Sequence, residues 1–456
     1  MEISPEGKFY GSHPAQNAYS DWPSPFRAWA LVLMLSFTAI LSYLDRIVIN
    51  LMVEPIKADL NLSDTGFAAL QGIAFGVFYT AMAFPLGRLA DKHCRRNIVA
   101  VGLAAFSFFS VYSGLAKNFW QLFVARIGVG VGEASLTPAA YSMISDCFPP
   151  QRLGRALSVF TMSAFIGVGV AYVAGGAVID WLWTIDYRSV PLLGALKPWQ
   201  LAFIIVGTPG LLFAPVYFLI KEPQRRDLTS SATKDTSLKG LFTEIRAIRK
   251  ILGLIFLGFG IVTLAGYANM VWIPAVFIRN YGWTPAEIGF WFGLLYLVCG
   301  TAGVISAGYL SDRLTAKGFK DAPLRVAAFG FVGFTIFGGL APIMSTPELA
   351  LLLLAPAVFM VTLPYPLAAT SIQLIVSNRI RGQVSALYLV FVNLIGLMVG
   401  PMLVGFLTDT VFGNPADVRY SLAAINLGCG PLAFCVLYYV MRPYHHLRFS
   451  LEYKPK

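Results

Sequence analysis

The chain has 456 residues, of which 57% are hydrophobic and only 12% are charged, and its mean hydropathy is +0.68. Soluble globular proteins of this length do not reach such values, so the composition excludes that class and indicates an integral membrane protein. The formal net charge of +11 would suit a nucleic-acid partner. The basic residues lie mainly between apolar runs, however, and we expect no nucleic-acid binding.

Twelve apolar runs of about 20 residues are each long enough to cross roughly 30 Å of hydrocarbon as a helix. A helix also satisfies its own backbone hydrogen bonds, as hydrocarbon requires. The runs lie near residues 28–53, 65–88, 97–115, 119–147, 153–181, 199–220, 251–279, 286–310, 324–344, 348–376, 382–408 and 420–441. The sequence therefore predicts an all-α membrane protein with twelve transmembrane helices.

Hydrophilic segments divide these spans into two predicted bundles. The interval 221–250 separates an N-terminal six-helix bundle, 28–220, from a C-terminal six-helix bundle, 251–441. Residues 1–27 lack the features of a signal peptide and are predicted to be a cytoplasmic tail, as are residues 442–456. This arrangement places most of the 34 Lys and Arg residues on the cytoplasmic side, as membrane proteins prefer. We expect the cytoplasmic membrane of a bacterium as the location, with both termini inside.

The cytoplasmic linker contains a possible surface helix. Within SLKGLFTEIRAIRK, the apolar residues at 238, 241, 242, 245 and 248 share one face of a basic helix. Such a helix is typical of segments that lie on the inner leaflet. The alternative interpretation is a solvated connector that carries a few apolar residues.

The sequence offers no set of residues that would hold a metal or a cofactor. Its five cysteines have no CxxC spacing, and its four histidines form no ligand pattern. We expect no disulfide, metal or cofactor. Because the chain also has no nucleophile with a neighbouring base and no phosphate loop, an enzyme is not expected.

One short pattern occurs twice, each time directly after a long apolar run. GRLADKHCRR begins at Gly87, and GYLSDR begins 221 residues later at Gly308. This repeat predicts two pseudo-symmetric halves, and it suits a tight cytoplasmic turn whose Asp meets a helix end and whose bases contact lipid phosphates. We interpret it as a cytoplasmic gate motif formed by Gly87, Asp91, Lys92, Arg95, Arg96, Gly308, Asp312 and Arg313.

Four ionisable residues lie deep within predicted spans. Asp45 and Arg46 are in the first span, and Arg126 and Glu133 are in the fourth. Each costs about 2.5–3.5 kcal/mol on insertion scales unless it is paired or faces water, so these residues are the predicted functional site. At 1.5 Å per residue, Asp45 and Arg126 lie at matching depths, and Glu133 lies about two turns beyond Arg126.

These charges suggest a coupling mechanism. We hypothesise that Arg126 pairs with Asp45 or with Glu133, and that protonation of Glu133 changes which partner the arginine holds. Asp45 is the second candidate proton carrier. A phosphate-bearing substrate would compete for Arg126 or Arg46. The alternative is a permanent ion pair that locks the first and fourth helices together.

Polar residues at mid-span heights are candidates for the wall of a cavity between the halves. They are Asn50, Gln71, Tyr79, Ser135, Thr137, Asn269, Tyr296, Gln373 and Asn393. The second half supplies mainly aromatic and aliphatic residues, which would suit an acyl tail. Prolines within the spans each remove a backbone hydrogen bond and predict a kink beside the cavity, with a packing role as the alternative. They are Pro138 in the fourth span, Pro274 in the seventh, and Pro356, Pro364 and Pro366 in the tenth.

GRLADKHCRR resembles the signature between the second and third helices of the major facilitator superfamily, and GYLSDR resembles its weaker copy in the second half. Cys94 stands where that family usually has glycine. LDRIVINLMVEPIKADL in the first span and RIGVGVGEASLTPAAYSMISDCFPPQRLGRALSVF through the fourth are similar to the Spinster-like group. This resemblance implies the major facilitator fold and transport of lysophospholipids or sphingosine phosphates, often with proton coupling.

The leading expectation is therefore a proton-coupled secondary transporter that works by alternating access. Its expected partners are an amphiphilic lipid substrate, protons and membrane lipids, and the expected state is a monomer. The alternative substrate is a small organic anion such as a sugar acid, which would use the same arginine. A non-transporting membrane sensor or scaffold is the alternative of another class.

Overall fold

The protein is described by a computed structural model that covers residues 22–184, 196–225, 238–377 and 380–452. The predicted all-α fold is confirmed, since helices dominate all four ranges. Long apolar helices are α1 (Pro25–Leu51), α2 (Asp64–Lys92), α3 (Arg95–Ser113), α5 (Arg152–Thr184), α6 (Pro198–Leu219), α7 (Ile248–Tyr281), α8 (Pro285–Ala316), α9 (Ala322–Ile343), α10 (Pro347–Gln373), α11 (Gln383–Phe412) and α12 (Pro415–Ser450). The fourth predicted span forms α4 in two pieces, Phe119–Glu133 and Leu136–Cys147.

The break in α4 explains why eleven, not twelve, uninterrupted helices in the described ranges are long enough to span a membrane. The first piece ends at Glu133, and the second begins at Leu136. Pro138 has no N–H and cannot donate to the carbonyl four residues earlier, at Ala134. The Ser135 hydroxyl instead donates to the Gly132 carbonyl at 2.8 Å. The interruption therefore lies immediately after a charged residue of the predicted site.

The helix that contains α7 begins earlier than the predicted span. It runs without interruption from Leu238 to Tyr281, so the second part of the linker continues directly into the membrane helix. The first part of the predicted linker, residues 226–237, lies outside the described residues. The predicted surface helix is thus the first part of a 44-residue helix, and its inner-leaflet location stays a prediction.

The two halves contact each other along two pairs of helices. α5 packs against α8, and α2 packs against α11. In the second contact, π-helical turns at Leu70–Val77 and Leu394–Val399 face each other. A Cβ atom at Gly72 would lie 3.0 Å from the Met398 carbonyl oxygen, so glycine permits this close approach. π-helical turns often occur at functional sites, and this one lies beside the charged residues of α1 and α4.

The apolar core joins the halves at one end of the molecule more than at the other. The largest cluster of buried apolar residues contains Tyr172 and Phe203 of the first half together with Trp272 and Phe277 of the second. The other clusters lie mainly within one half. We call the end that carries Arg279 the Arg279 end, and the opposite end, which carries residues 221–225, the linker end.

Candidate functional site

The four charged residues of the predicted site come together as two ion pairs at the crossing of α1 and α4. In the sealed pair, Arg126 Nη1 lies 2.6 Å from Asp45 Oδ2, and the two side chains are 0% and 1% exposed. Arg126 Nη2 also donates to Gln71 Oε1 at 3.3 Å. The guanidinium lies over the Phe75 ring, 5.3 Å from its centroid. The sealed pair is therefore fully enclosed by protein.

The second pair, which we call the cavity pair, joins Arg46 and Glu133. Arg46 Nε and Nη2 lie 2.6 Å and 2.5 Å from Glu133 Oε2, and the Ser42 hydroxyl donates to the same oxygen at 2.7 Å. The Arg46 side chain keeps 13% of its exposure, whereas Glu133 has none. The cavity pair therefore has one enclosed member and one that is open.

Aromatic rings surround the open member of the cavity pair. The Arg46 guanidinium lies 4.6 Å from the Tyr79 ring centroid, 4.7 Å from that of Phe75 and 5.3 Å from that of Tyr43. A guanidinium over an aromatic face is attracted by the negative charge density of the ring. These contacts fix the plane of the guanidinium while its remaining N–H groups face the space between the halves.

Each carboxylate of the site engages only one of its oxygens. Among the described residues, Asp45 Oδ1 and Glu133 Oε1 are buried and have no hydrogen-bond partner, and the same holds for Arg126 Nε. Buried polar atoms of this kind are rare because their desolvation is not compensated. A proton on either free oxygen would not require the existing hydrogen bonds to break first.

A small cavity lies beside Arg46 and between the halves, and we call it the central cavity. From the first half it is lined by Tyr43, Arg46, Ile47, Asn50, Gln71 and Phe75, and from the second by Tyr267, Met270, Val271, Leu397 and Pro401. The first half supplies the charge and both amides. The second half supplies aliphatic side chains, one proline and the Tyr267 ring, so the two walls differ in polarity.

Three of the nine predicted cavity residues are at this site. Asn50 and Gln71 line the central cavity, and Tyr79 stacks on Arg46. Gln71 Nε2 donates to Asn50 Oδ1 at 2.6 Å and to the Arg46 carbonyl at 3.1 Å. The two amides therefore form a hydrogen-bonded chain next to both ion pairs.

The other six predicted cavity residues lie elsewhere. Asn269 is hydrogen bonded to Asn426 inside the second half, and Tyr296 stacks on Tyr172 in the core between the halves. Gln373 is exposed at the end of α10. The remaining three are Ser135, at the break in α4, and the half-buried Thr137 and Asn393. Depth along a span selected all nine, but only the rotation of each helix decides which side chains reach the centre.

Sequence reasoning missed several residues that complete the site. Ser42 and Tyr43 precede Arg46 by four and three residues, so they share its helix face. Phe75 lies four residues after Gln71 and four before Tyr79, on the same stripe of α2. The i, i+4 spacing from predicted residues would have identified them. Met270 carries no comparable signal because it belongs to the opposite half.

Charged residues close the Arg279 end. Arg279 of α7 donates to Glu54 at 2.6 Å and to both oxygens of Asp64 at 2.7 Å. Asp409 of α11 accepts hydrogen bonds from the backbone N–H groups of Asp64 and Thr65 at 3.1 and 2.7 Å. Both carboxylates of the first half and the N-terminus of α2 are thus held by the second half. Sequence analysis missed this network because its members lie at helix ends.

At the linker end, the predicted gate motif makes its contacts through arginine. Arg95 is buried and forms ion pairs with Asp146 of α4 and with Glu222, the latter at 2.9 Å. Arg96 donates to the Ile220 carbonyl at 2.8 Å. Cys94 has an ordinary φ of −63°, so the backbone there does not require glycine. This copy of the motif therefore ties the start of α3 to the ends of α4 and α6.

The remaining motif residues are less engaged. Asp91, Lys92, Asp312 and Arg313 are exposed, and the Asp91 carbonyl accepts a hydrogen bond from Arg225. A Cβ atom at Gly308 would meet no atom within 4 Å, whereas one at Gly87 would lie 3.7 Å from Pro138. The second copy of the motif thus lies at an open surface. Its role as a gate stays a prediction.

In the described ranges, no three His, Cys, Asp or Glu side chains lie close enough to hold a metal ion. The five cysteines, all in those ranges, are free thiols. The side chains that form the site are two arginines, two carboxylates, two amides and the surrounding aromatic rings.

Comparisons with known proteins agree on the kind of molecule. The family model of the Major Facilitator Superfamily matches residues 35–393 and 255–455. The chain is 28% identical to an MFS-type efflux pump of Mycolicibacterium smegmatis, covering 86% of this chain and 87% of the relative. It is 26% identical to a probable L-galactonate transporter of Escherichia coli, with coverage of 89% and 88%. It is also 26% identical to protein spinster homolog 1 of Xenopus tropicalis, with coverage of 84% and 73%.

The fold agrees with a solved structure as well. A bacterial homologue of the human lysosomal transporter Spinster, in an inward-facing and unoccupied conformation, superposes with a TM-score of 0.75. The superposition covers 95% of this chain and all of the other, at 24% sequence identity. At this identity the likeness concerns the fold.

Proposed function

Because the chain belongs to the major facilitator superfamily and is Spinster-like, we propose that it transports an amphiphilic anionic lipid together with protons. The lipid class is a lysophospholipid or a sphingosine phosphate, and the mechanism is alternating access of the central cavity to the two sides of the membrane. The observation that carries the proposal is the position of Arg46, which lies between a buried carboxylate and the central cavity.

Arg46 links the substrate to the proton. Its guanidinium holds Glu133 on one side and faces the central cavity on the other. A phosphate that enters the cavity competes with Glu133 for this guanidinium, because phosphate oxygens accept hydrogen bonds from the same two nitrogens. The displaced carboxylate is left buried without its counter-charge, so it takes up a proton, for which Oε1 is free. Binding of the anion and protonation of Glu133 therefore favour each other.

The two walls of the central cavity support an amphiphilic substrate. The charge and the amides belong to the first half, so an anionic head group binds there. Val271, Leu397 and Pro401 of the second half offer an apolar surface for an acyl chain. A sugar acid presents hydroxyl groups in all directions, and such a wall would leave them unpaired.

A sugar acid is the second candidate, because the probable L-galactonate transporter is among the relatives. Its carboxylate would bind Arg46 in the same way as the phosphate of a lipid, so the two candidates share the coupling step. They differ in the surface that they need from the second half.

The membrane orientation follows from charge. We propose that the linker end is cytoplasmic, as the distribution of Lys and Arg favours. The Arg279 end, where Arg279 joins Asp64 and Glu54, is then the outer side. In this orientation the described conformation is closed to the outside.

A thermal-stabilisation screen tests the substrate class. Purified protein is heated with lysophosphatidylglycerol, with sphingosine phosphate or with galactonate, at an acidic and a neutral pH. We expect the lipids to raise the melting temperature and the Arg46→Ala variant to need about tenfold more lipid. Arg88→Ala is the matched control, because Arg88 also stacks on a ring, that of Phe84, but lies at the exposed surface.

Two results would overturn the lipid proposal. Stabilisation by galactonate alone would identify the sugar-acid candidate as correct. Equal loss of lipid binding in the Arg46→Ala and Arg88→Ala variants would show that the lipids bind nonspecifically to the apolar surface of the protein and not to the central cavity.

A further inference from the structure

Pro274 leaves one backbone carbonyl of α7 without its usual partner. In an α-helix the N–H of each residue donates to the carbonyl four residues earlier. Proline has no N–H, so the carbonyl of Met270 receives no such bond. Met270 also lines the central cavity, directly opposite the first half. A strong acceptor of the second half therefore faces the charged site.

Two donors from the first half use this carbonyl. The Tyr172 hydroxyl of α5 donates to it, and Asn50 Nδ2, at the end of α1, donates to it over a longer distance of 3.4 Å. Tyr172 is 0% exposed and Asn50 is 2% exposed, so neither bond competes freely with water. Pro274 thus leaves an acceptor in α7 to which, among the described side chains, Tyr172 and Asn50 of the opposite half donate.

Asn50 is the last member of a hydrogen-bonded chain that begins at the sealed pair. Arg126 donates to Gln71 Oε1 at 3.3 Å, Gln71 Nε2 donates to Asn50 Oδ1 at 2.6 Å, and Asn50 donates to the Met270 carbonyl. Arg126 in turn holds Asp45. The chain connects the ion pair to the contact between the halves in three steps.

The chemistry of the two ends fixes the direction of this chain. A guanidinium has only donors, so Gln71 must present its oxygen to Arg126. A carbonyl has only lone pairs, so Asn50 must present its NH₂ group to Met270. Between them, the Gln71 NH₂ group meets the Asn50 oxygen. If Arg126 moves away, the Gln71 oxygen loses its donor, and the Gln71 amide keeps only the bonds of its NH₂ group to the Arg46 carbonyl and to Asn50. An Asn50 oxygen turned toward Met270 would repel the carbonyl.

We infer that Gln71 and Asn50 are positioning residues that transmit the state of the sealed pair to the second half, with the Met270 carbonyl as the receiving group. The inference rests on the proposed function, because that function requires a change at the charged site to affect the contact between the two halves. The amide chain provides the connection. Tyr172 donates to the same carbonyl and also hydrogen bonds with Asn50, so it strengthens the last contact of the chain and not its link to Arg126.

The test measures the distance between the two halves at the Arg279 end, and it needs neither substrate nor transport. Spin labels are attached at Lys117→Cys and Ser345→Cys, two exposed positions near the Arg279 end on opposite halves, after the five native cysteines are replaced by alanine. The distance between the labels reports the ratio of closed to open molecules. Asp45→Asn removes the charge that holds Arg126.

In the otherwise unchanged protein, we expect Asp45→Asn to lower the closed-to-open ratio about fivefold, as loss of one buried hydrogen bond implies. In Asn50→Ala the ratio is already lower, and Asp45→Asn has no further effect. In Pro274→Ala the new N–H satisfies the Met270 carbonyl, and the response to Asp45→Asn is again lost. Tyr172→Phe lowers the ratio but keeps the response.

Pro356→Ala is the matched control for the proline change. Pro356 also lies inside a membrane helix, α10, but the carbonyl that it frees belongs to Leu352, whose side chain is exposed. We expect this variant to keep the full response to Asp45→Asn. If Pro274→Ala does not fold, Gln71→Leu interrupts the same chain and is expected to abolish the response.

An unchanged fivefold response in both Asn50→Ala and Gln71→Leu would overturn the inference. It would leave the proposed function intact, because the charged site would then act through another contact. Conversely, transport without proton coupling would refute the proposed function. The inference would still hold if Asn50→Ala and Gln71→Leu abolished the response of the label distances to Asp45→Asn. The two failures are therefore distinguishable.

Discussion

The sealed pair and the cavity pair use neighbouring residues and yet differ in access. Asp45 and Arg46 follow each other in α1, and both find partners in the first piece of α4. Arg126 and Asp45 are enclosed on all sides, whereas Arg46 borders the central cavity. The same chemistry therefore occurs twice, once without and once with a path for a ligand.

This difference separates two roles that the sequence alone left combined. An enclosed ion pair cannot bind a substrate unless the helices separate. Its attraction instead stabilises the packing of α4 against α1 and the position of the Gln71 side chain. An ion pair beside a cavity can exchange its acid for an incoming anion. We therefore expect changes at the sealed pair to affect stability most, and changes at the cavity pair to affect binding and coupling.

The largest effect is expected from breaking the sealed pair. Arg126→Met leaves the Asp45 carboxylate buried without a counter-charge, which lowers the free energy of unfolding by about 3–5 kcal/mol. Thermal unfolding of the purified protein in detergent measures this loss. The double variant Arg126→Met with Asp45→Leu removes both charges, and we expect it to recover most of the stability.

A double variant as unstable as Arg126→Met alone would contradict this view. The loss would then come from packing around the guanidinium and Phe75 and not from an unpaired charge. The sealed pair and the cavity pair would in that case no longer differ in kind.

The second prediction concerns the carboxylate of the cavity pair. Glu133→Gln keeps the shape of the side chain but cannot release or take up a proton. In liposomes with a pH gradient, we expect substrate flux driven by the gradient to fall at least about 100-fold, while exchange of substrate without a gradient continues. Glu348→Gln, at an exposed helix start, is the control and keeps wild-type flux.

Gradient-driven flux that survives unchanged in Glu133→Gln would assign the proton to Asp45 instead. The sealed pair would then take part in coupling, and the division between the two pairs would be wrong.

The third prediction concerns the shape of the Arg46 side chain. Arg46→Lys keeps the positive charge but loses the planar group that stacks on Tyr79 and Phe75 and engages Glu133 through two nitrogens. We expect lipid affinity to fall about tenfold, as titration of the melting temperature would show. Arg88→Lys makes the same change at the exposed Phe84 ring and should leave affinity unaltered. Equal affinity of Arg46→Lys and wild type would mean that charge alone binds the substrate.

The membrane explains how much of this fold and site was predictable. Apolar runs of fixed length predict helices because hydrocarbon tolerates little else, and the four buried charges are conspicuous because each is costly there. The partners were less predictable. Arg126 does hold Asp45, one of the two acids considered, but Glu133 pairs with Arg46, because the rotation of α4 about its axis decides which side chains meet.

Contacts between the halves were beyond the reach of the sequence. The Met270 carbonyl is a backbone group. It is available as an acceptor because Pro274 has no N–H, and Tyr172 of the other half donates to it. Arg279 and Asp64 are 215 residues apart and lie at helix ends, where sequence periodicity carries no information about partners. Such contacts depend on how two complete bundles dock.

The fourth prediction extends the comparison to the Arg279 end. Arg279 joins the halves by holding Asp64, whose side chain is enclosed, and Glu54, whose side chain is 40% exposed. Arg279→Gln should lower the closed-to-open ratio about fivefold, measured with the same pair of spin labels, since the ion pairs with Asp64 and with the partly exposed Glu54 are both lost. Arg419→Gln, a half-buried arginine stacked on its neighbour Tyr420, is the control. An unchanged ratio in Arg279→Gln would show that apolar packing and the Asp409 hydrogen bonds close this end without Arg279.

The smallest effect is expected at the linker end, where water reaches the ion pairs. Burial alone would raise the pKa of Glu222, but hydrogen bonds from the Arg96 backbone and the Arg95 and Cys94 side chains outweigh it and lower that pKa below its usual value. A carboxyl group whose pKa is lowered by folding stabilises the fold at pH values above its pKa in the unfolded chain, about 4.3. This stabilisation is lost as the pH falls through the pKa of the group in the folded protein.

The free energy of unfolding of wild type should therefore exceed that of Glu222→Gln by about 1 kcal/mol or less. Melting temperatures of the two proteins should show this difference as a constant gap from neutral pH down to about pH 5. Below about pH 4.3 the two curves should begin to approach each other, and they should meet below the lower pKa of folded Glu222, where wild-type Glu222 is also neutral. A gap that persists in acid would mean that the amide disturbs the packing of Arg95. A gap as large as that of Arg126→Met would mean that access to water does not distinguish the ion pairs of this protein.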